Sequence, residues 1–136
     1  MFLLDTNVVS ELRKSKPHGA VLAWFQQAPE SGLYLSAVTI GEIQKGIEIT
    51  RTIDPAKAQE IQDWLDGLVG NFPILPADAA IFRRWALLLH GHSDHHLEDA
   101  LIAATALAHG LTVVTRNVRD FKPFRVAVFD PFRFGR

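Results

Sequence analysis

Cysteine is absent from this chain of 136 residues. Its absence excludes thiol catalysis, a disulfide framework and a cysteine-based zinc site, and it is consistent with a reducing cytoplasm. Apolar runs approaching the ~20 residues of a membrane span are also missing. Because residues 1–4 are followed at once by Asp5, with no basic leader before them, we expect no signal peptide. We therefore expect a cytoplasmic protein without a membrane anchor.

Sequence elements that mark two common hydrolase classes are missing as well. No G-x-S-x-G element supports a Ser/His/Asp hydrolase, and no G-x-x-x-x-G-K-[ST] loop supports ATP hydrolysis. Four histidines lie close together in the sequence: His90, His92, His95 and His96. Their spacing matches no zinc signature, so we interpret them as surface loop residues.

The residues that are present are typical of a globular domain. With 48% hydrophobic and 21% charged residues, the chain is predicted to form a single domain over residues 1–136. The net charge of −1 gives no global sign of nucleic-acid binding, but the charge is uneven. From residue 111 onward six basic residues accompany two acidic ones, and the first 110 residues carry a net charge of −5. This asymmetry could steer a phosphate backbone, and an unevenly charged surface without such a role explains it equally.

Short apolar strands alternate with helices along the chain. Strands are predicted at residues 2–4, 33–35, 72–75, 111–115 and 127–129. Helices are predicted from an N-cap at Thr6 or Asn7 to about residue 14, and at residues 18–28, 40–47, 54–69, 78–90 and 97–108. Connections of this length join parallel strands that are covered on both faces. We predict an α/β fold, a three-layer α/β/α sandwich with a central parallel sheet.

Asp5 lies directly after the first predicted strand. In open parallel sheets, ligands bind beyond the carboxyl ends of the strands, which makes Asp5 a candidate metal ligand. Its alternative role is to cap the following helix, although Thr6 and Asn7 offer caps of their own.

Asp99 shares one side of its predicted helix with Ile102, Ala103 and Ala106. An ionised carboxylate on such an apolar face is costly unless a cation or good donors stabilise it. The alternative is an acid in the first helical turn, which the helix dipole favours by ~0.3–1 kcal/mol. Glu98 competes with Asp99 for either role.

Glu42 lies one turn before Gly46 on its predicted helix. Glycine costs ~1 kcal/mol relative to alanine within a helix, so Gly46 predicts a close approach by another backbone. Taken alone, Glu42 could be an exposed surface residue. Asp5, Glu42 and Asp99 have no obvious basic partner nearby in sequence, and they follow or flank elements expected to converge at one sheet edge. Because clustered carboxylates repel one another, we expect them to bind Mg²⁺, with Mn²⁺ as a substitute.

Four blocks of the sequence carry a resemblance to a known family. They are Leu4-Asp5-Thr6-Asn7 with Ser10-Glu11-Leu12, residues 36–46 around Glu42, residues 98–106, and residues 111–121. In order and spacing they resemble the PIN-domain nucleases, in particular the VapC toxins of bacterial VapBC toxin–antitoxin pairs. The resemblance implies Mg²⁺- or Mn²⁺-dependent cleavage of RNA by a cytoplasmic toxin, and a cognate VapB-like antitoxin that blocks the active-site groove. It also implies a homodimer, for which the apolar faces of helices 18–28 and 54–69 are candidate surfaces, and a larger assembly on operator DNA.

The resemblance also implies roles for individual residues. Asp5, Glu42 and Asp99 match the family's three main acids, with Asp5 and Asp99 as direct ligands and Glu42 positioning water or accepting its proton. Thr6 and Thr115 match small polar supporting positions.

Asn117 stands where many family members have a fourth acid. An amide adds no negative charge, so a second metal is in question, and Asp120 is the residue that could compensate. Asn7 and Arg116 are the neighbouring candidates for supporting the site or contacting a substrate phosphate. The helix after Thr6 is expected to add backbone donors for a phosphate oxygen.

Two other classes of protein place similar residues in similar positions. A binding module that keeps the fold but has lost catalysis is consistent with Asn117. A phosphate-accepting regulatory domain also surrounds Mg²⁺ with strand-end acids, but it needs an Asp on a later strand, and no predicted strand contains one. The sequence does not indicate which RNA a nuclease of this kind would cut.

Overall fold

A five-stranded sheet forms the centre of the protein in a computed structural model that describes residues 1–92 and 97–135. Its strands are β1 (Phe2–Leu4), β2 (Leu33–Ser36), β3 (Ile74–Leu75), β4 (Thr112–Val114) and β5 (Val128–Phe129). Every neighbouring pair is parallel, and the order is β3-β2-β1-β4-β5. The predicted parallel sheet is confirmed.

Helices connect the strands and cover the sheet. They are α1 (Thr6–Val9), α2 (Gly19–Gln27), α3 (Ala37–Arg51), α4 (Pro55–Asn71), α5 (Ala79–Leu89), α6 (Leu97–His109) and α7 (Val118–Phe121). Side-chain caps set the starts of α1 to α5, because each capping side chain accepts a backbone N–H of the first helical turn. The capping residues are Asp5, His18, Ser36, Asp54 and Asp78. Gly110, at φ +66°, ends α6 in the left-handed conformation that glycine tolerates.

The first helix differs from its prediction. α1 ends at Val9 and a 3₁₀ turn, Ser10–Arg13, replaces its expected continuation to about residue 14. Its N-cap is Asp5, not Thr6 or Asn7, because the Asp5 carboxylate accepts the Thr6 N–H.

Alternating strand residues divide the core between the two faces of the sheet. Leu4 and Val114 point into a cluster with side chains of α1 to α4, whereas Leu3 and Val113 pack with α6 and α7. This alternation follows from the two-residue period of a strand. It produces the expected three layers.

The apolar sides of α2 and α4 are used mainly within this core. Trp24, Leu65 and Leu68 are no more than 5% exposed, whereas Ile61 and Trp64 are half-buried and Leu22 is 40% exposed. Most of the apolar surface that suggested a dimer contact is therefore already buried within the chain. The homodimer itself stays a prediction. Of the clustered histidines, His90 and His92 are exposed as expected of loop residues, and His95 and His96 lie outside the described residues. Within the described ranges, no helix is both long and apolar enough to cross a bilayer.

Candidate active site

The strand order reverses beside β1, which lies between β2 and β4. From this point the chain winds outward in both directions, so the loops after β1 and β4 separate and leave a crevice, the usual ligand site of such sheets. Asp5 follows β1, and its N–H donates to the Val114 carbonyl at 2.9 Å. Thr115 follows β4, and its N–H donates to the Phe129 carbonyl at 2.9 Å. Asp5 and Thr115 therefore lie side by side at this edge.

Three donors hold the Asp5 carboxylate, which is only 6% exposed. The Thr6 N–H donates to Oδ1 at 2.9 Å. The Thr115 hydroxyl donates to Oδ2 at 2.8 Å, and the Asn7 amide donates to the same oxygen at 3.2 Å. The capping role and the position at the sheet edge thus belong to the same side chain, whose direction is fixed by its neighbours.

The same network joins the loop after β1 to the loop after β4. Thr115 Oγ1 accepts the Asn117 N–H at 3.0 Å and the Asn7 amide at 3.2 Å. Asn7 Oδ1 accepts the Arg116 N–H at 3.0 Å. Asn7 therefore bridges the two loops, a contact that holds Asp5 and Thr115 in register.

Glu42 is half-buried on α3 and faces the other acids. Burial and then the negative charges of Glu98, Asp5 and Asp99 raise the pKa of Glu42 to about 7, against the lowering effect of Thr6. The carboxylates of Asp5, Glu42, Glu98 and Asp99, from the loop after β1 and from α3 and α6, therefore share one electrostatic environment. Glu98 affects Glu42 more than Asp99 does. The sequence singled out Glu98 only as a competitor of Asp99, and here both belong to the cluster.

Thr6 lies between Asp5 and Glu42 in this cluster. Its buried hydroxyl forms no hydrogen bond of standard geometry with any described residue, although it lies close enough to Glu42 to lower the pKa of that carboxyl. Its backbone N–H donates a hydrogen bond to Asp5. Since α1 has only four residues and this donor is occupied, the expected phosphate site at the start of the helix is not supported.

Asp120 lies within electrostatic reach of Asp5. Burial raises the pKa of Asp5, hydrogen bonds from Thr115, Thr6 and Asn7 oppose that effect, and the charge of Asp120 adds to it. Asn117, in contrast, is exposed and contributes its backbone N–H to Thr115. The structure thus brings the predicted compensating acid near the site, while the amide side chain of Asn117 makes no hydrogen bond with other described residues.

The oxygen donors of this cluster are of the kind that Mg²⁺ prefers. Within residues 1–92 and 97–135, however, no three Asp, Glu or His side chains are arranged to surround one ion. The expected trio of Asp5, Glu42 and Asp99 is therefore not a ready-made three-carboxylate cage. It fits an ion that is held by one or two carboxylates and keeps several waters, as Mg²⁺ commonly does.

Glu11 is a second buried carboxylate, 6% exposed, and it has a different role. It pairs with Lys14 and accepts the His18 N–H at 2.9 Å. Burial alone would raise the pKa of Glu11, but these donors and the charge of Lys14 lower it overall. Glu11 thus fastens the 3₁₀ turn to the start of α2.

Gly46 does not have the role that its helix position suggested. It is exposed, and a Cβ added there would meet nothing within 4 Å, so no other part of the described chain approaches it closely. The prediction of a close backbone contact was wrong for the chain by itself. Gly46 instead lines an open groove of about 250 Å³ that also includes Thr6, Ile43, Ile61 and Trp64.

Comparisons with known proteins agree with this arrangement. The model of the PIN domain matches residues 2–125. The chain is 36% identical to VapC ribonuclease Y4jK of Sinorhizobium fredii, with 97% of this chain and 98% of that protein aligned. It is 34% identical to Toxin FitB of Neisseria gonorrhoeae, with 97% and 99% aligned. A chain in the crystal structure of FitAcB from Neisseria gonorrhoeae superposes with a TM-score of 0.86 at 34% identity, covering 98% of this chain and all of that one.

Proposed function

This chain belongs to the PIN-domain family, and from that premise we propose that it is a metal-dependent endoribonuclease acting in the cytoplasm as the toxin of a toxin–antitoxin pair. The observation that carries the proposal is the buried Asp5 carboxylate, held by three donors at the sheet crevice and close enough to Glu42 to raise its pKa together with Glu98 and Asp99. Related proteins of similar length are a VapC ribonuclease and a toxin, which supports the assignment.

Asp5 and Asp99 are the proposed holders of Mg²⁺, with Mn²⁺ as a substitute. A bound divalent cation supplies an acidic water and neutralises charge on the phosphate oxygens. Asp5 stays in position because Thr115, Asn7 and the Thr6 N–H fix both of its oxygens. Glu42 lies among these acids and is the proposed acceptor of a proton from the attacking water.

The repulsion among these acids also favours a cation. Each carboxylate that raises the pKa of Glu42 opposes its ionisation, and a divalent ion among them would reverse that effect. Thr115 and Asn7 are proposed to act through Asp5, and Asp120 to add negative charge beside it where Asn117 cannot.

A cleavage assay on purified protein tests this function. Asp5→Asn and Asp99→Asn should each lower the rate of Mg²⁺-dependent RNA cleavage by more than about 100-fold, because losing even an outer-shell partner commonly costs 10–100-fold. Asp63→Asn, an exposed substitution on α4, should keep the wild-type rate. EDTA should abolish cleavage. Full activity of either site variant, or of the wild type in EDTA, would reject the proposal.

An antitoxin is the proposed protein partner. Structures similar to this chain include FitAB bound to an IR36 DNA fragment, with a TM-score of 0.76 at 32% identity. The mostly apolar groove of about 250 Å³ begins at Thr6, beside the acids, and is suited to an apolar protein segment. We therefore propose a VapB-like partner that neutralises the toxin and forms a hetero-oligomer with it on operator DNA. We expect a short gene beside that of this chain to code for this partner, and its co-expression should restore growth to cells that this chain arrests. Continued arrest on co-expression would count against that partner.

A catalytically weakened binding module is the second candidate. Asn117 in place of an acid, and the lack of a three-carboxylate cage among the described residues, are the observations that favour it. It predicts RNA or protein binding without metal-dependent cleavage, so the same assay separates the two candidates.

A further inference from the structure

A cleft of about 530 Å³ opens beside the candidate active site. The loop and helix that follow β4 form most of it. Its charged lining residues are Arg116, Arg119, Lys122, Arg133, Asp120 and Asp130. All four of the basic side chains are exposed, so they can meet a ligand without rearrangement of the core.

The cleft shares a wall with the Asp5 network. The Arg116 N–H donates to Asn7 Oδ1, and the Asn117 N–H donates to Thr115 Oγ1, both at 3.0 Å. Asn7 and Thr115 in turn donate to Asp5. Two lining residues of the cleft, Arg116 and Asn117, are therefore bonded directly to partners of the Asp5 carboxylate.

Most of the positive charge in this cleft is not neutralised. The Asp130 carboxylate already has two partners: its Oδ1 accepts the Phe132 N–H at 2.9 Å, and its Oδ2 lies 3.8 Å from Arg133 Nε. Among the described residues, Arg119 and Lys122 form no ion pair. Arg119 and Lys122 can therefore bind an anion without breaking an ion pair to another described residue.

Arg116 is already oriented. Its guanidinium carbon lies 4.5 Å from the centroid of the Phe132 ring, a cation–π contact that limits its side-chain freedom. A guanidinium held in this way presents a planar set of donors, a geometry that matches phosphate oxygens.

We propose that this cleft binds the sugar–phosphate backbone of RNA beside the bond that is cut, with Arg116, Arg119 and Lys122 contacting successive phosphates. The proposal rests on the proposed function, because it takes RNA as the substrate. Several separate cations along one cleft suit a polyanion rather than a single small anion. Its continuity with Asp5 favours the substrate over an acidic protein segment, the other polyanion of this chemistry.

An RNA-binding assay tests the proposal. The affinity for fluorescein-labelled single-stranded RNA is measured by anisotropy in EDTA, at salt concentrations from about 50 to 200 mM, over which phosphate contacts are increasingly screened. In the double variant Arg119→Ala, Lys122→Ala, the affinity should fall at least about 10-fold. The slope of log affinity against log salt should become shallower by about 1.4, as expected for two lost single-strand phosphate contacts. The matched control is Lys57→Ala, Arg83→Ala, which removes two exposed cations from α4 and α5 and should leave both quantities unchanged.

Fluorescein-labelled polyglutamate is tested with the same variants, as a probe for an acidic protein segment. Three results would overturn the proposal: no RNA binding by the wild type, equal RNA binding by the wild type and the cleft variant, or a cleft variant that loses affinity for polyglutamate but not for RNA. The last would assign the cleft to an acidic protein segment. Cleavage with Mg²⁺ is measured in parallel. Cleavage by the wild type with unchanged RNA affinity in the variant rejects the cleft and leaves the proposed function standing. Binding that depends on the cleft, without any cleavage, rejects the proposed function and leaves the cleft standing.

Discussion

Sequence patterns present helix capping and metal binding as alternative roles for Asp5, and the structure makes the two compatible. It caps α1 through Oδ1, and its Oδ2 is bound by Thr115 and Asn7. A capped carboxylate at a strand end is not thereby excluded from ligating a metal, since a carboxylate can accept about four hydrogen bonds or ligand contacts in total. The cap contributes orientation to the candidate site.

Glu42 makes the stability of the metal-free protein depend on pH. Its folded pKa of about 7 lies above the 4.5 of an unperturbed carboxyl, so the folded state holds a proton that the unfolded state has released. The stability due to this proton is complete below pH 4.5 and is lost as the pH rises through 7. In EDTA, Glu42→Gln should therefore melt above the wild type at pH 8, and the gap should shrink toward pH 5.

Melting temperatures measured from pH 5 to 8 check this expectation. Each kcal/mol by which burial and then the neighbouring acids destabilise ionised Glu42 corresponds to a gap of roughly 2–8 °C for a domain of this size. Glu60→Gln, an exposed substitution on α4, should follow the wild-type curve throughout. Parallel curves for Glu42→Gln and the wild type would show that the surroundings of Glu42 do not destabilise its ionised form.

At the scale of elements, α6 is the helix most restricted by packing. Ala100, Ala103 and Ala106 are fully buried beside Leu3 and Val113, which lets the helix approach the sheet closely. This close approach also brings Asp99, in the first turn of α6, toward Glu42. Small residues in α6 therefore position part of the site.

Ala103→Leu should lower the free energy of unfolding by about 1–3 kcal/mol, because the added atoms have no space against the sheet. Ala108→Leu, an exposed change on the same helix, should stay within ~0.5 kcal/mol of the wild type. Urea denaturation measures both. Equal stability of the two variants would mean that α6 does not pack as closely as its buried alanines indicate.

Most strands and helices could be predicted because their signals are local. Asp54-Pro55 and Gly110 mark helix ends within a few residues, and β4 is a β-branched run. The start of the chain was harder, because three consecutive capping residues, Asp5, Thr6 and Asn7, compete there, and only the position of Asp5 against β4 decides among them.

The site was predictable in its acids and not in its contacts. Asn7 and Thr115 are 108 residues apart in sequence, so no local pattern reveals that they bond to each other and to Asp5. The prediction at Gly46 failed for a related reason. A glycine in a helix shows that a side chain is absent, but the sequence does not show whether another backbone or open space lies beside it. The sequence could not show whether Glu98 or Asp99 has the larger effect on Glu42, because that effect depends on where α6 lies relative to α3.

At the scale of the whole molecule, opposite charges meet at one edge of the sheet. Glu42 lies near Asp5, Glu98 and Asp99, and four of the six basic residues after β4 line the neighbouring cleft. A phosphodiester drawn in by these cations would come close to the carboxylates that are proposed to hold the metal.

The chemistry of the cleaved ends tests the central claim most directly. Water attack at a metal-bearing carboxylate site does not use the ribose 2′-hydroxyl, so it leaves a 5′-phosphate and a 3′-hydroxyl. A defined RNA incubated with the purified protein and Mg²⁺ should give those ends, and none when EDTA is present. Ends carrying a 2′,3′-cyclic phosphate would contradict the account, because they would show that the 2′-hydroxyl, and not water, had attacked.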